Sequence, residues 1–488
     1  MPFPFALPTT SHLTFQSHLT STTHPSLPST ATSHRTVLRS ALKSHKRLPA
    51  SAQSTNLPTI LSALQSYIPY LFALDSALSS RPVAGEDIDV TLIQELAVEW
   101  RPTLSSASAV PGRDVPRIKG RGLDYEILSV LHTFSTVSTL LARNALLGLY
   151  ASTTPEPAQR LSILQSATKH LTTANSIHLY LLQRMHSSTD PQSVPAGAVD
   201  VLEPVQAALA ALSHAEATLL FVQKDDPYPA LLIQSRNKND REWMIKAPEI
   251  PRVRVGLLAR LCLSAAEGAG RAVAGLKSGV PGGVSGELVR YCEDLRKVSR
   301  AKACRFLGIE REMEGKMGEG IAWLRGGMVE VGMEPPKDSA SVGLGKLRSE
   351  WKGWREDKRL EKGKADWGLD AGKAEEGRVL EWLERKWTKM NDTMNVQIVP
   401  DSRPLVAAMP SGRDALTPKA WVPDVLPEEE VARMRAPPEV GVGEDGAQSS
   451  DEEDAGEKST AGLSGRDPVG AFPGTRYEYR GGNDSSYY

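Results

Sequence analysis

Cysteine is scarce in this chain: 488 residues hold only Cys262, Cys292 and Cys304. Their number is odd and their spacing wide, with no CxxC pair and no Cys/His ligand spacing. A disulfide framework and a zinc site are therefore not expected, and the usage fits a reducing compartment. Net charge is nearly absent as well. Lys and Arg number 57 against 58 Asp and Glu, so the electrostatic footprint of a nucleic-acid binder is missing. Histidine stops early: all ten lie before residue 215, and five fall in the first fifty residues among Ser and Thr. None has the tight spacing of metal ligands, so no metal site is expected. Long apolar runs are missing too, with no window of 18 consecutive apolar residues. Met1–Pro8 is apolar but broken by Pro2, Pro4 and Pro8 and has no basic region before it. Neither a signal peptide nor a membrane span is expected, and position 2 lacks the glycine needed for myristoylation. Any membrane association is expected to run through a partner or a surface patch.

Catalytic signatures are also lacking. GxSxG, HExxH, an EF-hand loop and a dinucleotide fingerprint do not occur. Gly270-Arg-Ala-Val-Ala-Gly275-Leu-Lys277-Ser278 nearly spells a phosphate-binding loop. Leu276 intrudes between the second glycine and the lysine, and the stretch ends a helical pattern where a phosphate loop would open one. No cofactor and no enzyme activity are expected; the alternative is an enzyme with an unrecognised nucleotide site at Gly270–Ser278.

What is present is helical periodicity. Leu123, Ile127, Val130, Phe134, Val137, Leu141 and Ala145 recur at steps of three and four, which puts them on one helix face. Ser152, Thr153 and Thr154 offer capping hydroxyls before Pro155 and Pro157. A second pattern follows through Leu161, Leu164, Ala167, Leu171, Ala174, Ile177 and Leu181. Ala, Ser and Thr between them let two helices approach closely, as a hairpin of an all-α core.

Taken in order, the chain is expected to open with short strands at Phe3–Leu7 and Leu13–Phe15 and a short helix at Arg35–Lys46. An amphipathic helix follows at Leu57–Leu78, which Pro69 should kink or split. The loop Pro102–Gly122 carries a basic cluster at Arg113–Arg121; without interleaved aromatics it reads as a solvated loop. Beyond the hairpin come helices at Val201–Val222 and Val253–Leu276, separated by a polar insertion at Lys224–Pro251. A long helix at Leu288–Val331 is expected to bend near Gly315 or Gly318. Lys346–Met390 is dense in charge, with Trp351, Trp354, Trp367, Trp382 and Trp387 as anchors of charged helices docked on the core. Residues 391–424 read as an extended closing segment. From 425 to 488 the chain is acidic and small, as a disordered tail. The helical core thus covers about 57–331, and the whole domain 1–424.

The order of residues says more than their period. Val98–Arg101, Tyr125-Glu126, Ser129–Phe134, Ala167–His170, Ala174-Asn175, His214-Ala215-Glu216, Leu257–Ala265 and Gly318–Leu324 occur in this sequence, with Asn391-Asp392 and Val399-Pro400 near the close. In order and spacing the set resembles the BRO domain, the helical module of ALIX-type endosomal adaptors. The resemblance implies a predominantly all-α, elongated, boomerang-shaped domain with a helical solenoid core. It also implies a non-catalytic adaptor that binds the C-terminal amphipathic helix of an ESCRT-III subunit of the Snf-seven or CHMP-four type. Within the family, the Met1–Leu7 start, the Ser/Thr-rich N-terminus and the short tail are similar to fungal regulators of the ambient-pH response. That implies work with other pH-signalling components toward proteolytic activation of a zinc-finger transcription factor. The implied location is the cytoplasm, with recruitment to plasma-membrane or endosomal ESCRT sites; an endosomal cargo-sorting adaptor is the alternative.

Carried over residue by residue, the resemblance places the partner-binding patch at Leu257 and Leu261, four residues apart on one helix face. Thr218 and Leu219 stand where the family often has a large aromatic, and Gln165 stands where it has a rim lysine. The physical mode is helix-in-groove recognition, with exposed leucines covered by an apolar partner face. The plainer reading is that Leu257 and Leu261 are core, because Leu258 and Cys262 sit beside them and one pair must face inward.

Overall fold

The computed structural model describes residues 1–106, 115–150, 155–187, 194–229, 252–279, 283–336 and 368–437. Helices dominate them: α1 Leu27–Arg47, α2 Ala50–Leu78, α3 Gly122–Leu147, α4 Pro157–Ser187, α5 Glu203–Asp225, α6 Arg252–Ser278, α7 Gly286–Met313, α8 Met317–Glu330, α9 Lys373–Met390, α10 Ser402–Ala407 and α11 Glu428–Met434. From α1 through α8, each helix packs against the next in sequence. Two small antiparallel ladders flank this row. One pairs β1 (Leu19–Thr20) with β2 (Thr91–Leu92), and the other pairs β3 (Ala97–Trp100) with β4 (Ile118–Arg121). The compact unit extends from Met1 to Ala436.

Local chemistry explains the boundaries. Pro28 sits in the first turn of α1, and Pro204 with Glu203 opens α5, where a missing N–H and a negative charge cost nothing. Lys46 and Arg47 end α1, where cations meet the carbonyl end of the helix dipole. Every residue of α3 from Tyr125 to Thr139 is buried, so this helix is enclosed on all sides rather than half-exposed. Its hydroxyls are satisfied within the helix: Thr133, Thr136 and Thr139 donate to the carbonyls four residues back, at 2.7, 2.8 and 3.1 Å.

Several expectations change. Phe3–Leu7 and Leu13–Phe15 are not strands. The apolar rings there pack irregularly, Phe3 against Phe5 and Tyr291, and β1 starts only at Leu19. The first helix begins at Leu27, eight residues before the expected Arg35, and α2 runs unbroken from Ala50 through both Pro58 and Pro69. The stretch Leu288–Val331 is not one bent helix. It is the hairpin α7–α8, reversed at Gly315, whose φ of +77° is a conformation only glycine adopts freely. The basic cluster is partly strand, since Ile118–Arg121 is β4. Residues 425–436, expected to begin the tail, belong to the compact unit and include α11, and Leu426, Val431 and Met434 are buried in the N-terminal core. The remaining tail, the capping residues Ser152–Thr154, most of the polar insertion, and Trp351, Trp354 and Trp367 lie outside the described residues.

By length and composition α2 and α5 could cross a membrane. Their most apolar windows are 56% and 72% buried inside the protein, as core helices are.

Candidate functional site

Three polar hubs hold the helices in register. Glu126 of α3 is fully buried and accepts from Arg35 Nε at 2.8 Å, Tyr67 Oη at 3.0 Å and Trp100 Nε1 at 2.7 Å. The carboxylate keeps the Arg35 guanidinium charged despite burial. Farther along, Arg305 of α7 is gripped by Asp226 and Glu376, each at 2.6 Å, with the Tyr228 ring 5.2 Å from its centre. Burial pushes the Glu376 carboxyl up, but Arg305 and Lys302 outweigh it and hold the pKa down at about 2. The third hub is neutral. Gln206 bridges the ring nitrogens of His132 and His178 at 3.1 and 2.7 Å. Burial depresses these histidines to about 4 and about 3. Asp200, 3.8 Å from His132, is itself pushed upward by burial. Both shifts favour the neutral forms, so this contact is not an ion pair.

None of these hubs opens to a reacting atom. Among the described residues no group of three or more His, Cys, Asp or Glu side chains gathers as metal ligands. Gly270–Ser278 lies inside α6, and Lys277 is paired with Glu293 of α7 at 2.5 Å. It is thus no strand-to-helix loop that could cradle phosphate.

A surface feature forms where the start of α4, the end of α5 and the start of α6 meet. Arg160 of α4 donates to the carbonyls of Gln223 and Asp226 at 3.0 and 2.8 Å. Arg254 of α6 pairs with Asp225 of α5 at 3.1 Å. Beside these cross-links stand Leu161, Phe221 and Leu257, exposed by 37%, 37% and 38%. Each helix thus contributes one large apolar side chain to the same end of the stack. Gln165 is exposed one turn along α4, and Leu219 is half-buried between two core clusters.

The structure separates the residues placed here from sequence. Leu257 is exposed. Leu261 is fully buried, which corrects the expectation that both share an open face. The reason is helical phase. Leu261, Gly268 and Gly275 are spaced by seven and form one stripe. A Cβ placed on either glycine would lie only 3.3–3.4 Å from Ala211 and Ala215, or from Pro204 and Ala208, of α5. A residue on that stripe faces α5, whereas Leu257 is rotated about 40° away from Leu261. Thr218 is also fully buried and donates to the His214 carbonyl at 2.9 Å, so it offers no pocket wall. The exposed aromatic is Phe221, one turn on, which the sequence reading missed. Its signal was available: a lone Phe at the polar end of an amphipathic helix.

Downstream of Leu257 the outward stripe of α6 is already occupied. Residues 408–424 return across the helices as a strap. Its Gly412 and Arg413 amides donate to Glu267 and to the Arg260 carbonyl at 3.1 and 3.0 Å. Asp414 accepts from the Ser264 hydroxyl and lies 3.6 Å from His214. Trp421 then packs among Phe72, Phe134 and Tyr180, with ring centres 5.5–6.1 Å away. The open apolar surface therefore ends at Arg260.

No family model matches the chain. Over its full length it is 43% identical to the full length of the pH-response regulator protein palC of Emericella nidulans. Among solved structures, the ALIX BRO1–CHMP4C complex superposes with a TM-score of 0.51 at 14% identity, covering 86% of this chain and 95% of that one. ALIX in complex with the SIVmac239 PYKEVTEDL late domain superposes at 0.53 and 15% identity. That match covers 88% of this chain and half of the ALIX chain.

Proposed function

The chain belongs to the family of the pH-response regulator palC and has the BRO-type helical fold, and on that premise we propose that it is a non-catalytic adaptor in ambient, alkaline pH signalling. It docks the C-terminal amphipathic helix of an ESCRT-III subunit of the Snf-seven or CHMP-four type. It acts in the cytoplasm, recruited to plasma-membrane or endosomal ESCRT sites, and promotes proteolytic activation of a zinc-finger transcription factor. The observation that carries the docking step is the cross-linked end of α4, α5 and α6, where Leu161, Phe221 and Leu257 stand open together. An amphipathic helix covers such a row with side chains at its own i, i+3 or i+4 positions. Gln165 and Leu219 belong to the rim of this surface. Leu261 and Thr218 support it from beneath.

The test is a titration of the full chain with a labelled peptide of the partner's C-terminal helix. Saturable binding in the micromolar range, about 8 kcal/mol, is expected. Absence of saturation at millimolar peptide overturns the docking step. In cells, deletion should impair alkaline growth; a cargo-sorting defect equal at every external pH, with normal alkaline growth, would place the protein in endosomal sorting instead.

A further inference from the structure

Three of the four most exposed large apolar side chains among the described residues lie away from the helical patch. Met394, Val396 and Ile398 are exposed by 77%, 81% and 91%. They alternate along the segment that leaves α9, first in the π-helical turn Asn391–Asn395 and then in the irregular chain that begins at the left-handed Val396.

This segment is pinned. The side chain of buried Asn391 donates to the Gln397 carbonyl at 2.8 Å and accepts from its amide at 3.0 Å. The Gln397 side chain in turn donates to the Gly315 carbonyl at 2.8 Å and accepts from the Gly318 amide at 3.0 Å. The Ile398 carbonyl packs so closely on Gly318 that any side chain there would collide with it. Between these clamps Val396 is held at φ +48°, left-handed backbone that a β-branched residue adopts only under strain. The clamps therefore fix three apolar side chains outward against both the hydrophobic effect and backbone preference.

Cations stand behind the tip. The last two turns of α9 present Arg385, Lys386 and Lys389 to solvent, with the Lys386 ammonium 5.6 Å from the Trp382 ring centre. Arg385 is paired with Glu381 at 3.0 Å, which leaves Lys386 and Lys389 as the outward cations of these turns.

We propose that Met394, Val396 and Ile398 form a wedge that inserts into the headgroup region of an anionic lipid bilayer, with Lys386 and Lys389 against the lipid phosphates. The exposures decide between a bilayer and a protein partner. A groove that seats a helix half-buries its own lining, as at Leu161, Phe221 and Leu257. The tip is convex and nearly fully exposed, which suits a fluid phase that closes around it. Interfacial anchoring needs this combination of shallow apolar insertion and basic residues at phosphate depth. Because the wedge is already rigid, little conformational freedom is lost on insertion. The tip and the helical patch use different elements, so the two surfaces stand or fall separately.

The test is co-sedimentation of the full chain with phosphatidylcholine vesicles, with and without phosphatidylserine. Binding to the anionic vesicles is expected, weakened at least tenfold by Val396→Asp or Ile398→Asp. Lys386→Glu with Lys389→Glu should erase the preference for phosphatidylserine. All of these side chains are exposed, so circular dichroism should match the parent. The native cysteines are buried, so an Ile398→Cys variant takes an environment-sensitive dye selectively, and its emission should shift to the blue on anionic vesicles. The proposal is overturned if the parent chain ignores both vesicle types, if the Asp variants bind as well as the parent, or if the dye shifts only when a protein partner is added.

Discussion

Replacing Leu257 by Asp separates docking from folding most cleanly. Fully burying a leucine or phenylalanine is worth about 1.5–3 kcal/mol. Leu257 has 38% of its surface still to bury, so covering it contributes only about 0.6–1.1 kcal/mol. Leu257→Ala should therefore weaken partner binding by no more than about fivefold. Asp adds a carboxylate that the partner's apolar face would strip of water, bringing the loss to about 2 kcal/mol or more, roughly thirtyfold. Leu161 and Phe221 are equally exposed, so the three together supply about 2–3 kcal/mol. That is well short of the roughly 8 kcal/mol of micromolar binding. The remainder has to come from the rim, where Gln165, Arg254 and the half-buried Leu219 border the patch. Leu261→Asp is the contrasting perturbation. That side chain is fully buried, so the change costs about 4 kcal/mol or more and lowers the melting temperature. Calorimetric titration with the partner helix and thermal unfolding on both variants give the answer. A folded Leu257→Asp protein that binds like the parent refutes the placement of the patch.

Glu126→Ala leaves the Arg35 guanidinium buried and unpaired and should cost about 3–5 kcal/mol in urea unfolding; a loss under about 1 kcal/mol would show the hub to be dispensable. Stability should fall on acidification. His132 and His178 have folded pKa values below the ordinary 6.5, so the unfolded chain binds protons first as pH drops through 6.5. The loss continues toward pH 4, on the order of 2 kcal/mol per histidine by pH 5, and Glu376 extends it as pH falls from about 4.5 toward 2. Equal urea midpoints at pH 7.5 and 5 would contradict it. Trp421→Ala removes the strap's anchor among Phe72, Phe134 and Tyr180. The amides of Gly412, Arg413 and position 421 should then exchange hydrogen faster while α3 stays protected; unchanged exchange would mean the strap is held elsewhere.

The hairpin α3–α4 was legible because its apolar residues recur at 3 and 4 over long runs; that α3 is buried on every side was not, because the Ser, Thr and His between them read as a polar face. The α7–α8 reversal was not, because both arms are helical and the turn between Met313 and Met317 is only three residues long. Helix continuity and helix reversal then look alike until the φ of Gly315 is known. The acid run Glu428–Glu430 reads as tail by composition, yet it is the first turn of α11, where carboxylates favour the dipole while Val431 and Met434 find the core. At the candidate site, spacing put Leu257 and Leu261 on one face. Spacing does not tell how wide the exposed part of that face is. In α6, held between α5 and α7 with a strap over its outward stripe, it is narrower than one 40° step.

The resemblance found the fold more surely than the site, and the hubs give the reason. Tyr125-Glu126 and Val98–Arg101 stand out because Glu126 takes the Trp100 indole across the two motifs, and the same buried carboxylate holds the Tyr67 phenol of α2 and the Arg35 guanidinium of α1. His214-Ala215-Glu216 is similar. Glu216 accepts from the Tyr291 hydroxyl at 2.6 Å, and His214 faces Asp414 of the strap. Such residues specify which helix lies beside which, because leaving any partner out strands a buried polar group. A docking patch has no such geometry to satisfy. An apolar side chain can move by a turn, as the exposed aromatic here stands at Phe221 rather than Thr218, and still offer the same area to a partner helix. Motifs thus report the scaffold, and the site has to be read from what the scaffold leaves uncovered.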